Sequence, residues 1–496
     1  MITQQRIDAL RGAAVPPAKL WIDGQQVAAI KGEERAVTSP IDGSHLGHFA
    51  AGSREDVDLA VAAARRVFER GDWSKMPPTQ RKRIMHKIAD LIEAHADELA
   101  VLGSRDNGTE ISMSFRAEPG SAAATMRYYA ESVDKLYGEV APTDASTLGM
   151  ILKEPVGVVG AIIPWNFPLM IGAWKLGPAL VVGNSIVVKP PEVASFSLLR
   201  LAELCHEAGL PPGVLNVVTG KGSEVGAAIA EHMDVDVLVF TGSGGTGRRL
   251  LQASANSNLK RVYLELGGKS PNIIFEDYEN LDKAAAVAAA GIFRNSGQVC
   301  VAGSRVLVQR SIYQPFLDKF KAASEAIQLG DPLDLATTAG AIASEDQMRS
   351  ILAKIERAKA DGLELVTGGN QARMDSGGTY VEPTVFTHVP EQNALAQEEV
   401  FGPVAAVTPF DSEEEAIALA NSTVFGLAGA AWTDNLSRAH RVVGAVKTGV
   451  MHVNTYGGAD VTVPLGGHGQ SGNGHDKSLH ALDKYCNLKT AWISLS

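Results

Sequence analysis

Hydrophobic residues recur every three or four positions through much of the first 137 residues, which is the spacing of amphipathic helices. Ser53 followed by Asp56 forms a capping-box pattern before one such run. The predicted helix buries one apolar face, formed by Val57, Ala60, Val61, Ala64, Val67 and Phe68. A second run predicts one long helix over residues 84–102, ended by an Asp-Asn-Gly run at 106–108. A third helix is expected over residues 122–136.

Two stretches of the same region predict β-hairpins. Residues 20–27 carry an Asp-Gly pair between apolar positions, which is a strong signal for a two-residue hairpin turn. Residues 138–154 alternate loosely between apolar and polar positions, a pattern typical of an exposed hairpin.

From residue 156 onward, short apolar strands alternate with helical stretches. The first series has strands at 156–163, 185–188, 214–218 and 237–240, with helices at 167–182, 195–208 and 223–232. The second has strands near 272–275, 304–309, 405–409, 426–432 and 449–453, with helices near 281–294, 311–326, 344–360, 411–420 and 435–446. Such alternation predicts βαβ units and parallel sheets. We therefore expect an α/β fold with two Rossmann-type parallel-sheet domains, joined near Glu265.

Composition narrows the class of protein. The 496 residues are 45% hydrophobic and 20% charged, which fits a soluble globular chain with large cores. The net charge of −11 argues against nucleic acid or an anionic membrane as partner. Residues 155–174 carry no charge and are long enough to span a bilayer. Prolines at 155, 164 and 168 interrupt them, so a buried strand, loop and helix is the better interpretation.

Cysteine usage favours a reducing cytoplasm. Three cysteines are too few, and odd in number, for a disulfide framework. The start of the chain shows no apolar signal region. No Cys/His cluster has the spacing of a zinc site, so no metal is expected.

Candidate chemistry concentrates in residues 261–305. Glu265 ends an apolar strand-like run and precedes two glycines, while Cys300 lies among small and apolar residues. A carboxylate near a thiol can act as a general base for it or for a water. The alternative is that Cys300 is a small buried hydrophobic residue without a catalytic role.

A glycine-rich turn precedes this region. Residues 242–247 read Gly-Ser-Gly-Gly-Thr-Gly, follow a strand and open a helix, as in G-x-G-x-x-G dinucleotide sites. That pattern alone places a pyrophosphate on the helix N-terminus and makes Glu265 a ribose ligand.

The combination of motifs resembles the NAD(P)-dependent aldehyde dehydrogenases. ELGGKSP at 265–271 and GQVCVAGSR at 297–305 are similar to the two signature stretches of that family. The resemblance covers about residues 18–495 and implies that Cys300 is the nucleophile and Glu265 the general base. Asn166, within a PWNFP motif, would donate to the oxyanion together with the Cys300 N–H. By the same resemblance, Glu265 implies that the thioester is hydrolysed, because the branch of the family that passes it to coenzyme A lacks this glutamate.

The resemblance also assigns a cofactor site. FTGS at 240–243 with a later glycine matches the family pattern, which frees Glu265 for chemistry. Glu192 would bind the adenosine ribose and so favour NAD, with NADP as the alternative. The full set of implied cofactor residues is Ile163, Pro164, Trp165, Lys189, Glu192, Gly242, Ser243, Gly247, Glu399 and Phe401.

Substrate residues are less well defined. An apolar tunnel is expected from Phe167, Trp174, Val299, Val301 and Leu465, with ordinary core packing as the alternative for each. Residues 471–482 resemble the bacterial branch that acts on γ-aminobutyraldehyde and its γ-glutamyl or guanidino derivatives, which belongs to polyamine catabolism. Glu118 and residues 456–460 would offer negative charge to a cationic substrate end.

The chain departs from the family pattern at Leu465, Gly469 and His475, where an aromatic residue, a lysine and an arginine are usual. These departures put the wall of the substrate pocket in doubt, and with it the nearby subunit or domain contacts, but not the catalytic set.

By the same resemblance, residues 1–137 and 156–265 form an NAD-binding domain and residues 266–477 a catalytic domain. Residues 138–155 and 478–496 form an oligomerisation element, which implies a homodimer or homotetramer. Two other functions stay open: oxidation of aromatic or aliphatic aldehydes, and a non-catalytic binding or structural role on the same fold.

Overall fold

The structure of the protein is a computed structural model, which describes residues 2–457 and 460–495. The α-helices of this part are α1 (Gln4–Arg11), α2 (Arg54–Arg70), α3 (Pro78–Ala94), α4 (Ala96–Asn107), α5 (Ile111–Phe115), α6 (Ser121–Ser132), α7 (Pro168–Val182), α8 (Phe196–Glu207), α9 (Ala227–Glu231), α10 (Gly244–Ala255), α11 (Leu281–Phe293), α12 (Tyr313–Glu325), α13 (Glu345–Ala360), α14 (Ala394–Gln397), α15 (Glu413–Ala420) and α16 (Leu436–Ala445).

The strands fall into two large sheets and several small ones. In chain order they are β1 (Leu20–Ile22), β2 (Gln25–Val27), β3 (Glu34–Thr38), β4 (His45–Ala50), β5 (Glu139–Ala141), β6 (Thr147–Pro155), β7 (Val158–Ile162), β8 (Ser185–Lys189), β9 (Leu215–Val217), β10 (Val237–Thr241), β11 (Arg261–Glu265), β12 (Pro271–Ile274), β13 (Arg305–Gln309), β14 (Glu364–Thr367), β15 (Gln371–Ala372), β16 (Tyr380–Val381), β17 (Thr384–Thr387), β18 (Val404–Phe410), β19 (Phe425–Gly426), β20 (Ala428–Trp432), β21 (Val450–Val453), β22 (Leu465–Gly466), β23 (His468–Gly469), β24 (His475–Asp476) and β25 (Cys486–Ser494).

The first large sheet has the order β11-β10-β7-β8-β9-β1-β2. Its first five strands are parallel, and the predicted hairpin of β1 and β2 adds two antiparallel strands. Helices cover both faces: Val237 and Val239 pack toward α3, α6, α7 and α8. Leu238 and Phe240 pack toward α2, α9 and α10. Burial on both faces explains why these strands are continuous apolar runs rather than alternating ones.

The second large sheet has the order β14-β17-β18-β13-β12-β20-β21, and only β14 is antiparallel to its neighbour. Ile274 of β12 packs with α11 and α12, whereas Ile273 packs with α15 and α16. The two sheets confirm the predicted α/β fold with two parallel-sheet units.

A third, antiparallel sheet is formed by β25, β6 and β5. The predicted hairpin of β5 and β6 is present, and the C-terminal strand pairs along β6 from Cys486 opposite Pro155 to Ser494 opposite Thr147. Val140, Leu488 and Trp492 of this sheet are 72%, 70% and 67% exposed, so it carries apolar side chains that the chain itself leaves uncovered.

The predicted helix over residues 84–102 is wrong as a single element. It is two helices, α3 and α4, because His95 leaves the helical conformation with φ −105° and ψ 16°. No glycine or proline marks this break, so the periodicity of apolar residues runs across it. The third helix ends at Ser132 and tightens into a 3-10 turn through Lys135, one residue before the predicted end.

Some elements were not predicted. They include α1, the β3–β4 pair, β14 and β17 at one margin of the second sheet, and the separate β15–β16 pair.

The strands of the first large sheet end at Glu265 and those of the second begin at Pro271. Residues 471–474 return to β11, where the Leu264 N–H donates to Asn473 Oδ1 (2.8 Å) and the Leu266 N–H donates to the Ser471 carbonyl oxygen (2.9 Å). The domain boundaries given above stay a prediction. Within residues 2–457 and 460–495, no helix has the length and apolar character needed to cross a membrane.

Candidate active site

One cleft lies where the carboxyl ends of the first sheet's strands face the segments that precede β13 and β18 in the second. Its volume is about 340 Å³. The predicted residues that line it are Pro164, Trp165, Asn166, Gly242, Ser243, Cys300, Glu399 and Phe401. Ligands of open α/β sheets bind at this edge because the strand ends and helix N-termini converge there. A larger cavity, about 520 Å³, lies against the N-terminal segment and contains none of the predicted site residues.

The turn before Cys300 has an unusual backbone. Asn295 and Ser296 both have φ 49°, and Gly297 has φ 74°. A side chain at Gly297 would meet the Gly402 carbonyl oxygen at 2.1 Å, so only glycine fits. Two hydrogen bonds fix the turn: Thr109 Oγ1 donates to Asn295 Oδ1 (2.8 Å), and Ser296 Oγ donates to the Gly340 carbonyl oxygen (2.7 Å). Such strained backbone persists only where its surroundings determine it.

The Cys300 thiol is held in its neutral form. Burial raises its pKa to about 12, and the carboxylates of Glu399 and Glu265 contribute in the same direction. A neutral thiol is a weak nucleophile, so chemistry at Cys300 requires a group that removes its proton.

Asn166 is buried at the end of the loop after β7. Its Nδ2 donates to the Gln298 carbonyl oxygen (3.0 Å), two residues before Cys300. Asn107 Nδ2 donates to the carbonyl oxygens of Trp165 (3.3 Å) and Asn166 (3.4 Å), which holds the loop. An amide group has two N–H donors, so one remains to donate into the cleft.

Glu265 lies at the end of β11, and its side chain is not among those that line the cleft. Its carbonyl oxygen accepts from the Gly242 N–H (3.0 Å). Its carboxyl Oε1 is buried without a hydrogen-bond partner among the described residues. Burial and the nearby Asp476 raise the pKa of Glu265 well above its usual range, while Lys175 and Lys484 oppose the rise.

A buried cluster of charges that the sequence analysis missed lies beside Glu265: Lys175, Asp476 and Lys484. Lys175 is the only charged residue of α7, a lone lysine in an apolar helix, and that pattern was a usable signal. Asp476 and Lys484 gave none, because their partners are distant in sequence.

Glu192, in the segment that follows β8, has two partners outside the cleft lining. Its Oε1 accepts from the Gly222 N–H (2.8 Å), and Arg35 forms an ion pair with its Oε2. Arg35 comes from β3 and was not predicted. Lys189 is buried, donates to the Pro190 carbonyl oxygen (2.8 Å), and has a pKa lowered by burial to about 8.

The residues present fit a dinucleotide. Ser243 caps α10, and a side chain at Gly245 would meet nothing within 4 Å, so the helix N-terminus is open to a phosphate. Thr241 Oγ1, at the cleft wall, is buried without a hydrogen-bond partner among the described residues. Trp165 and Phe401 pack edge to face, 5.3 Å between centroids, and form an aromatic wall. The Gly268 N–H donates to Glu399 Oε1 (3.0 Å).

Four predicted cofactor residues do not line the cleft: Lys189 and Glu192, described above, and Gly247 and Ile163. Gly247 is buried in α10, where a side chain would press against Leu266 at 3.0 Å, so it serves close helix–strand packing. Ile163 is buried, and its N–H donates to the Lys189 carbonyl oxygen (3.1 Å).

Four of the five predicted substrate residues meet in one apolar cluster. Phe167, Trp174, Val299 and Val301 pack together with Met113, Ala117, Met170, Ile171 and Ala302. Leu465 lies outside this cluster, in β22 opposite Asp476.

The structure buries the carboxyl group of Glu118, which accepts from the Met170 N–H (2.7 Å) and so caps α7. Its suggested charge toward a substrate stays a prediction. Of residues 456–460, Gly458 and Ala459 lie outside the described residues, while Asp460 is exposed.

Comparison with known proteins decides the family. The sequence profile of the aldehyde dehydrogenase family matches residues 27–491. The chain belongs to the aldehyde dehydrogenase family. It is 50% identical over 477 residues to the NADP/NAD-dependent aldehyde dehydrogenase PuuC of Escherichia coli (strain K12), covering 96% of each chain. This confirms that the chain is an aldehyde dehydrogenase.

Solved aldehyde dehydrogenase structures agree along the whole chain. A mutant of the P. syringae indole-3-acetaldehyde dehydrogenase AldA, in complex with NAD+ and IAA, is 47% identical with a TM-score of 0.98. The gamma-glutamyl-gamma-aminobutyraldehyde dehydrogenase of Burkholderia cenocepacia J2315 is 45% identical, also with a TM-score of 0.98. Both comparisons cover 100% of each chain. In the described part of this aldehyde dehydrogenase, no group of three or more histidine, cysteine, aspartate or glutamate side chains is arranged to hold a metal ion.

Proposed function

We propose that this aldehyde dehydrogenase oxidises an ω-aminoaldehyde, such as γ-aminobutyraldehyde or its γ-glutamyl or guanidino derivative, to the carboxylate with NAD. The supporting observation is the cleft itself. It gathers a thiol, a buried amide and an aromatic wall from three distant parts of the chain, beside an open helix N-terminus. A non-catalytic protein would have no need of this combination.

The cofactor residues have separate tasks. The N-terminus of α10 with Ser243 would take the phosphates, Glu192 and Lys189 the adenosine ribose, and Glu399 with Phe401 the nicotinamide side. Bound NAD supplies the acceptor for the hydride that leaves the aldehyde carbon. Because Arg35 neutralises much of the charge on Glu192, the preference for NAD over NADP should be moderate rather than absolute.

The chemistry begins at Cys300. Its thiol gives its proton to solvent water, and the sulfur attacks the carbonyl carbon, which turns the carbonyl oxygen into an alkoxide. The free N–H of the Asn166 amide and the Cys300 backbone N–H donate to that alkoxide. Loss of hydride leaves a thioester on Cys300.

Hydrolysis completes the cycle. Glu265 takes a proton from water, the hydroxide adds to the thioester carbon, and the C–S bond breaks. The products are the carboxylate and the free thiol. A carboxyl with a pKa raised by burial suits this role, because a base acts best with a pKa close to the working pH. Its side chain must turn toward Cys300, since it does not line the cleft in this structure.

The substrate assignment rests on the relatives named above and on residues 471–482. A second candidate is an aromatic aldehyde, because the cluster around Trp174 and Phe167 is apolar and one relative acts on indole-3-acetaldehyde. The test is formation of NADH or NADPH with γ-aminobutyraldehyde, its γ-glutamyl derivative and indole-3-acetaldehyde, each with NAD and with NADP. A higher kcat/KM for the amino compounds supports the proposal, and preference for the indole compound supports the second candidate. Absence of aldehyde-dependent NADH and NADPH in every case would refute both.

We also propose a homodimer, or a tetramer built from dimers. The exposed apolar side chains of the three-stranded sheet need a covering surface, and a second copy of the chain provides one. A reducing cytoplasm remains the proposed compartment, and three free cysteines support it.

A further inference from the structure

Three charged side chains are buried together beneath β11. Lys175 of α7, Asp476 of β24 and Lys484 of the following 3-10 turn are 1%, 1% and 3% exposed. Each lysine binds a different carboxylate oxygen: Lys484 Nζ lies 2.7 Å from Asp476 Oδ1, and Lys175 Nζ contacts Oδ2. The cluster is therefore fixed from three separate elements.

The charges of these three groups do not cancel. Two ammonium groups face one carboxylate, so one positive charge is left over in a place buried from the protein surface. An unpaired buried charge is strongly unfavourable, which requires a compensating group nearby. Glu265 is that group: it ends β11, and residues 471–474, just before Asp476, are hydrogen-bonded to that strand. Its Oε1 is buried without a hydrogen-bond partner among the described residues, and the charges of Lys175, Asp476 and Lys484 all act on its pKa. When Glu265 is ionised, the charges of the four groups sum to zero.

We propose that Lys484 is a positioning residue for hydrolysis: its ammonium group, held on Asp476, supplies the surplus positive charge that lets the buried Glu265 carboxylate ionise. Lys175 and Asp476 alone would form a neutral pair and give Glu265 little support. This role rests on the proposed function of Glu265 as the base and adds a residue that the sequence motifs do not contain.

The other titratable groups around the cluster do not supply this charge. Tyr129 and Tyr485 are buried, and burial raises the pKa of each hydroxyl, so both stay neutral. Tyr263 of β11 is a further neighbour of Tyr485. Lys477 lies next to Asp476, but its Nζ donates to the Asp460 carbonyl oxygen (3.0 Å) and it is absent from the groups that act on the pKa of Glu265.

The charge balance predicts a different change in the titration of Glu265 for each of three variants: a rise, a fall and no change. Lys484→Met leaves Glu265 as an uncompensated anion and should move its titration to higher pH. Asp476→Asn leaves two cations and should move it to lower pH. The double variant restores a neutral set, so its titration should return to the wild-type position. One buried charge nearby shifts a carboxyl pKa by about one to three pH units, which sets the expected size.

The titration of Glu265 is measured on the protein without cofactor. An activated ester, p-nitrophenyl acetate, acylates Cys300, and hydrolysis of the acyl group is followed against pH by mass spectrometry. Infrared difference spectra give the protonated carboxyl band of Glu265 directly, identified by its loss in Glu265→Gln. Lys484→Arg keeps the charge and should keep the wild-type profile. Lys321→Met, at an exposed pair with Glu325, is the matched control and should change nothing.

The possible results distinguish failure of the proposed function from failure of the proposed role of Lys484. Absence of aldehyde-dependent NADH in the wild type would remove the proposed function. If NADH forms but Lys484→Met leaves the titration of Glu265 unchanged, the inference on Lys484 is wrong and the function stands. Shifts of the same sign in Lys484→Met and Asp476→Asn would show structural damage rather than charge balance, and would also overturn it. If Lys484→Met does not fold, the opposite shift in Asp476→Asn and its reversal in the double variant still decide the question.

Discussion

Replacing Glu265 with glutamine gives the sharpest test of the catalytic assignment. The change keeps the size of the side chain and breaks no hydrogen bond of Oε1, which has none among the described residues. It removes one carboxylate that raises the pKa of Cys300, so attack by the thiol should not become slower. An amide cannot accept a proton from water, so only hydrolysis of the thioester loses its base.

The expected loss is large and specific. A positioned general base contributes about 10²- to 10⁴-fold, so turnover should fall by that factor. In free energy this is about 2.7 to 5.4 kcal/mol of transition-state stabilisation. Affinity for NAD should stay close to that of the wild type, because the side chain does not line the cofactor cleft. The thioester should accumulate, with a rapid first release of NADH before a slow steady state.

Three measurements test this account. Stopped-flow absorbance gives the first release of NADH, mass spectrometry of the protein during turnover gives the acyl adduct on Cys300, and calorimetry gives the Kd for NAD. If Glu265 were instead a ribose ligand, the same variant would mainly weaken NAD binding, by about 1 to 3 kcal/mol. A large rise in Kd with unchanged saturated turnover would therefore refute the assignment of Glu265 as the base.

Further predictions concern the nucleophile, the cofactor and the assembly. Cys300→Ala should abolish dehydrogenase turnover with NAD binding retained, while Cys205→Ala, at a buried cysteine remote from the cleft, keeps substantial activity; equal activity in both would contradict the mechanism. Burial raises the pKa of Cys300 to about 12, so its alkylation rate in the cofactor-free protein should keep rising with pH through about pH 10. A plateau of the rate near neutral pH would contradict the raised pKa. Glu192→Gln should raise kcat/KM for NADP relative to NAD, and Arg35→Gln should lower that ratio. The opposite pattern would show that the charge on Glu192 does not set the preference for NAD. Light scattering should give a dimer or tetramer at micromolar concentration, and a stable monomer would exclude the proposed role of the three-stranded sheet.

Local features of the fold followed from the sequence because they depend on neighbouring residues. The Ser53–Asp56 capping box is present, since both hydrogen bonds form within one turn of helix. Asp23 and Gly24 have φ 55° and 76°, as the Asp-Gly pair of the first hairpin requires. Strand and helix alternation predicted two parallel sheets, because burial on both faces imposes continuous apolar strands. The break at His95 was missed because nothing in its side chain forbids a helix.

For the site, the motifs identified most of the cleft. Asn166, Cys300 and Phe401 line it together, although they are far apart in the chain. Short motifs succeed here because each lies at a strand end or a strained turn, where the backbone restricts the residue types. Gly247 and Glu118 show the limit: the sequence offered both as functional residues, but it did not reveal that Gly247 packs closely against Leu266 or that Glu118 caps α7.

What the tertiary structure alone decided is the electrostatics around the site. Arg35 reaches Glu192 across 157 positions, and Lys175 reaches Asp476 across 301. No local pattern encodes such pairs, because an ion pair depends on distance in space and on the exclusion of water, and both arise only when the sheets and helices pack. The sequence therefore determined which chemical groups the protein has at its cleft, and the packing determined their charges.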